Sequence, residues 1–219
     1  MALTISDIQI SKIHIIDDDP EGRNSYGFAV EEMDVESFLQ EDKVESLDKF
    51  FLSLKGNDAV ISDHHLKKVS SYFPVNGAEF ISQCYDKHIP SILVTRYEDS
   101  YNEIRPFKKN IPVVLNPADF NPDSLFNGLL LCINEFKGLV SPARKIWRTL
   151  VRIEDADEKT ISIILPSWNR NIVIELERNE MPAEISHLAI PDSHFYASVN
   201  IDAEDSCELF FQNWEVLKK

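Results

Sequence analysis

Asp17, Asp18 and Asp19 close one compact apolar run, Asp63 closes a second, and Thr95 closes a third. Carboxylates gathered at neighbouring strand ends repel one another unless a hard cation neutralises them. Mg²⁺ suits such oxygen ligands and keeps several waters, one of which can give way to a phosphoryl oxygen. A carboxylate beside that ion is a nucleophile for phosphoryl transfer, forming an acyl phosphate. The Thr95 hydroxyl is then a donor for the arriving phosphoryl group. A plainer reading stands beside this one: Asp19 alone satisfies a helix N-cap, and Asp63 is a turn residue at a strand end. The co-occurrence of the triplet with Asp63 favours chemistry. His64-His65 suggests a transition-metal pair, but adjacent loop residues seldom converge on one ion.

The elements that must position these residues are legible in the first half of the chain. Lys12–Ile16 is a strand, and Asp19-Pro20 then reads as an N-cap with proline at the first helical position, opening a helix toward Glu32. A weaker strand is expected around Val35–Phe38. Residues 44–55 place Val44, Leu47, Phe51 and Leu54 at near-helical spacing. Asp58–Ser62 is a strand leading into Asp63, and Gly77–His88 carries Phe80, Ile81, Cys84 and Tyr85 on one helical face. Pro90–Val94 is a strand ending at Thr95, a polar helical stretch follows, and Ile111–Leu115 is a strand ending at Asn116-Pro117. Asn121 caps a helix from Pro122 to about Lys137, with Leu125, Leu129, Ile133 and Phe136 facing inward. Near-continuous apolar strands of this kind imply a five-stranded, doubly wound parallel sheet covered by helices on both faces. Such α/β sheets carry their sites at the carboxyl ends of the strands.

Gly138 and Ser141-Pro142 mark a break, so the chain is expected to divide at residues 1–139 and 140–219. Beyond Trp147 the pattern changes to period two, with strands at Thr149–Ile153, Thr160–Leu165, Ile172–Leu176, Phe195–Ile201 and Cys207–Trp214. A short helix is expected around Pro182–His187. This half reads as a small all-β barrel or sandwich, its strand pairing open. Trp147, Trp168 and Trp214 suggest a ligand groove, but two of them are expected to be core aromatics.

In Ile15–Pro20, Val60–Asp63, Leu93–Thr95 and Val114–Pro117, in that order, residues 10–138 resemble the receiver domain of response regulators, a flavodoxin-like fold. The resemblance implies that Asp17 and Asp18 hold Mg²⁺, that Asp63 is phosphorylated, and that the backbone carbonyl of His65 is a further metal ligand. Thr95 becomes the switch hydroxyl. The chain also departs from the family. Asn116 stands where a phosphate-contacting Lys is usual, Val113 at the aromatic switch position, and Arg96 where a small residue follows the Thr. Arg96 is a candidate for the missing phosphate contact, since guanidinium suits phosphate oxygens. The loop from His64 to Asn76 also looks longer than usual.

The function implied is a two-component response regulator rather than an enzyme, with a histidine kinase or kinase-like partner and a downstream protein partner. A homodimer is compatible with it. The departures keep open a pseudo-receiver adaptor or scaffold that signals by protein–protein contact without phosphorylation. Asp17-x-Asp19 is also similar to the haloacid-dehalogenase phosphatases, but Pro20-Glu21 follows the pair here and Asp63 would be unexplained.

The composition narrows the partners. With 22 basic and 37 acidic residues the net charge is −15, which disfavours a nucleic-acid partner, because duplex binding relies on Lys and Arg at phosphates. Residues 140–219 hold 9 basic and 14 acidic residues, hence −5, so a DNA-reading output is not expected. No apolar run approaches the roughly 20 residues of a membrane span, and no export signal opens the chain. Cys84, Cys132 and Cys207 are odd in number and far apart, as in reduced, mostly buried thiols of a cytoplasmic protein.

Overall fold

The computed structural model describes residues 2–66 and 72–217, without the side chains of 97–99. Part of the long loop expected after Asp63 therefore lies outside the described residues. The chain divides into two compact units, Met1–Leu139 and Val140–Lys219.

The first unit opens with a hairpin, β1 (Leu3–Ile5) and β2 (Ile8–Ile10), whose turn residues Ser6 and Asp7 both have positive φ. Primed turns of this kind match the twist of paired strands. Alternating strands and helices follow: β3 (Lys12–Ile16), α1 (Pro20–Glu31), β4 (Glu36–Leu39), α2 (Leu47–Ser53), β5 (Asp58–Asp63) and α3 (Gly77–Asp86). Then come β6 (Ser91–Val94), α4 (Tyr97–Ile104), β7 (Val114–Leu115) and α5 (Pro122–Phe136). The five strands β3–β7 pair in parallel in the spatial order β4-β3-β5-β6-β7. Counted among themselves this is 2-1-3-4-5, the flavodoxin-like doubly wound order.

Strand alternation sends successive side chains to opposite faces. Ile13 and Ile15 of β3, Ile61 of β5 and Ile92 of β6 pack with Tyr26 and Val30 of α1 and with Leu125, Leu129 and Ile133 of α5. Ile16, Val60 and Leu93 face the other way, against Phe50 of α2, Phe80, Ile81 and Cys84 of α3, and Ile104 of α4. Each large side chain fully buried in these layers contributes about 1.5–3 kcal/mol. Helix α2 is shorter than the spacing suggested: Val44 is buried but precedes it, and Phe50 rather than Phe51 is the buried aromatic. Strand β7 keeps only two of the five expected residues, because a short 3₁₀ stretch (Arg105–Asn110) runs up to Ile111.

The second unit holds β8 (Trp147–Ala156), β9 (Thr160–Leu165), β10 (Asn169–Glu177), α6 (Ala183–Ser186), β11 (His194–Val199) and β12 (Phe211–Val216). The barrel and sandwich readings left the pairing open; the strands join in one antiparallel sheet, β10-β9-β8-β11-β12. Its core gathers Val151, Ile163, Leu176, Phe195 and Leu209, with Trp168 and Trp214 packed against it. Trp147 is exposed and donates to Asp202 at 3.2 Å. All three cysteines are thiols rather than disulfides, Cys84 and Cys132 buried and Cys207 half-buried. Among the described residues no helix is long and apolar enough to cross a membrane.

Candidate functional site

Parallel pairing sets Ile16 opposite Ser62, so Asp17 and Asp63, the next residues, leave adjacent strands side by side. These strands, β3 and β5, flank the switch point where the chain first turns one way and then the other, the position at which doubly wound sheets open a crevice. One carboxylate oxygen from each of Asp17, Asp18 and Asp63 lies within 4.8 Å of the other two. Asp17 is only 5% exposed, while Asp18 and Asp63 are half-buried.

Local bonds fix the cluster. Asp17 Oδ1 accepts the Asp19 N–H at 2.8 Å, and Asp63 Oδ2 accepts the His65 N–H at 2.7 Å. Asp19 caps α1, accepting from Glu21 and Gly22 at 3.2 Å each. Arg23, one turn into α1, donates from Nη1 to the Asp17 carbonyl at 2.6 Å. Two glycines make room. A Cβ on Gly22 would sit 2.7 Å from Asp17 Oδ2, and one on Gly77 would sit 1.9 Å from the Asp63 carbonyl oxygen. Neither close approach leaves a signal in sequence spacing.

The charges strain against each other. Burial pushes the Asp17 carboxyl up to about 7, with Asp63, Asp18 and Asp19 adding to it against the Asp19 N–H. Burial and then Asp63 also raise Asp18. Tyr26, whose phenol is raised by burial and by the Asp17, Asp63 and Asp19 charges, stays neutral. Three carboxylates with oxygen donors only, one of them driven toward protonation by burial and then by the others, form a donor set that fits a hard divalent cation.

Thr95 is buried, its N–H donating to the Leu115 carbonyl at 2.9 Å, and it directly follows Val94, the β-partner of Asp63. Asn116 is exposed, and its Oδ1 caps the short turn Pro117–Asp119 by accepting the Ala118 N–H at 2.9 Å. Arg96 is exposed at the start of α4. Among the described residues neither Arg96 nor Asn116 hydrogen-bonds or ion-pairs with the three carboxylates. Val113 is buried in the sheet core.

The order 2-1-3-4-5, with acids at the ends of its first and third strands, makes the first unit receiver-like in fold. Among solved structures, it is similar to a response regulator receiver domain from Clostridium thermocellum, at 22% identity, 60% of this chain, 100% of that one and a TM-score of 0.46. It is also similar to a response regulator receiver protein from Pseudoalteromonas atlantica, at 14% identity, 57% and 98% coverage, and a TM-score of 0.40. An uncharacterised protein from Neptuniibacter caesariensis aligns at 18% identity, 62% and 97% coverage, and a TM-score of 0.43. No protein-family model matches the chain, and no curated protein matches it.

Beside the acids of the receiver-like unit, His64, His65 and Glu103 also bring ligand atoms within 4.8 Å of one another. Here the hydrogen bonds decide. His64 Nδ1 accepts the Ala78 N–H at 3.3 Å, which places the proton on Nε2, facing Glu103 Oε2 at 3.1 Å. An Nε2 that carries a proton toward a carboxylate offers no lone pair to a metal. The pair is wired to α4 instead, with His65 Nε2 2.8 Å from Ser100 Oγ.

Proposed function

We propose that the chain is a signalling protein whose receiver-like unit accepts a phosphoryl group on Asp63, with Asp17 and Asp18 holding Mg²⁺ beside it. The observation that carries this reading is the convergence of these three carboxylates at the switch point. A bound Mg²⁺ would neutralise the cluster and polarise the incoming phosphoryl oxygens. The remaining work belongs to the chain. Asp17 and Asp18 hold the cation from the end of β3, and the His65 carbonyl is a further ligand. An Asp63 carboxylate oxygen attacks phosphorus; the bond from phosphorus to the donor's nitrogen or oxygen breaks, and the donor leaves as free imidazole or carboxylate. The Thr95 hydroxyl donates to a phosphoryl oxygen.

The charge usually supplied by a lysine has no replacement at Asn116, whose side-chain oxygen is occupied in capping. This favours slow transfer rather than none. Arg96, exposed at the start of α4 and next to Thr95, is the cation this reading assigns to the phosphoryl group. The kinase-like donor and the downstream partner are proteins in this reading. The C-terminal unit is its output: it is net acidic and strand-built, which suits protein recognition better than DNA.

Incubation with acetyl phosphate and Mg²⁺, read by intact mass, tests the proposal. One phosphoryl adduct is expected on the wild type and none on Asp63→Asn. An unmodified wild type under saturating donor would favour the adaptor reading.

A further inference from the structure

We propose that the two histidines after Asp63 carry the state of the carboxylate site to helix α4. This deepens, and rests on, the reading of Asp63 as the acceptor. The polar path is short. The His65 N–H donates to Asp63 Oδ2 at 2.7 Å, and the same residue's ring reaches Ser100 Oγ at 2.8 Å. His64 adds a parallel tie to Glu103 of α4 at 3.1 Å. Ser100 and His64 are each 1% exposed, so each tie has one dry end, and the Ser100 tie is the more sheltered because the Glu103 carboxylate is half exposed.

The two residues differ in how firmly they are held. His64 is anchored on the α3 side, its carbonyl accepting from Gly77 at 2.8 Å and its Nδ1 from Ala78 at 3.3 Å. His65 has one ring nitrogen on Ser100, and its Nδ1 is buried with no partner among the described residues. A buried unpaired nitrogen is costly, so the His65 ring gains from any displacement that finds it a partner. What holds it in place is the backbone bond to Asp63. That bond is charge-assisted while Asp63 is a carboxylate. When Asp63 is phosphorylated, one oxygen becomes the bridging oxygen of the acyl phosphate and the other a neutral carbonyl. Either way the His65 N–H loses its anionic acceptor, the loop relaxes around the His64 anchor, and the Ser100 tie moves with it.

Backbone hydrogen exchange of residues 100–104 in the full-length chain tests this, with and without Mg²⁺ and beryllofluoride as the phosphoryl mimic. Occupancy is followed on the same samples by the fluorine resonances of the bound mimic. In the wild type, occupancy is expected to change exchange in α4 by about threefold or more. Ser100→Ala should bind the mimic with unchanged affinity, yet lose most of the α4 response. His65→Phe, which keeps the backbone N–H and deletes Nε2, should likewise lose most of the α4 response when compared at full mimic occupancy, whatever its affinity, and guards against a folding defect in the first variant. A full α4 response in both variants would overturn the inference, as would a wild type that binds the mimic without any change in α4. A wild type that binds no mimic would overturn the reading of Asp63 itself.

Discussion

Burial and three neighbouring carboxylates push the Asp17 carboxyl up to about 7, whereas an unfolded chain releases that proton near the ordinary carboxylate range. A carboxyl raised in the folded state contributes stability that is fully present below the unfolded value and is lost as pH rises through the folded one. The metal-free protein should therefore lose stability between about pH 4 and pH 7 from this group. Mg²⁺ should restore it at pH 7.5 and do little at pH 5, where a proton competes for Asp17. At a concentration 100 times its dissociation constant the ion adds about 2.7 kcal/mol, readable as a rise in melting temperature. The two crowded glycines divide the same region. Gly22→Ala places a methyl 2.7 Å from Asp17 Oδ2, a side-chain oxygen that can turn aside, so metal affinity should fall more than stability. Gly77→Ala meets backbone at 1.9 Å and should cost about 3 kcal/mol or more in urea unfolding.

The elements were the most legible part of the sequence. Asp19-Pro20 and Asn121-Pro122 signalled their helices because capping is local chemistry, and both caps form with the expected partners. Asp19→Ala should cost about 1 kcal/mol of stability, measured by denaturant titration. Elements set by tertiary contact were harder to read. The β1–β2 hairpin turns at Ser6-Asp7 without a glycine, so nothing marked its positive φ values. At α2 the expected Leu47, Phe51 and Leu54 pack half-buried against the core, but the most buried aromatic is Phe50, which the spacing did not single out. Phe50 meets Phe73 and Phe80 edge-on at 5.8 and 5.5 Å, and Phe50→Ala should cost about 3–5 kcal/mol, against much less for Leu52→Ala, which is exposed. The candidate site divides along the same line. Its carboxylates were visible because strand ends are visible. The ties from His64 and His65 to α4, spanning 35 or more residues, have no periodic signature.

At the scale of the whole molecule, each unit closes its own core: two layers around the parallel sheet in the first, one cluster on the antiparallel sheet in the second. Truncating one core should leave the chemistry of the other intact. Phe195→Ala, at a residue 1% exposed in the second unit, should lower that unit's unfolding midpoint while Mg²⁺ affinity at the acids stays unchanged, as followed by calorimetry. The net charge of −15 fits an acceptor for a divalent cation and works against nucleic-acid contact. The most direct test of the account is an isothermal Mg²⁺ titration of the wild type, Asp17→Asn and Asp63→Asn at pH 7.5 and low salt. The account predicts one ion per chain and at least a tenfold loss of affinity, about 1.4 kcal/mol, in each variant. A wild type that takes up no Mg²⁺, or an Asp63→Asn variant that binds it as tightly as the wild type, would contradict it.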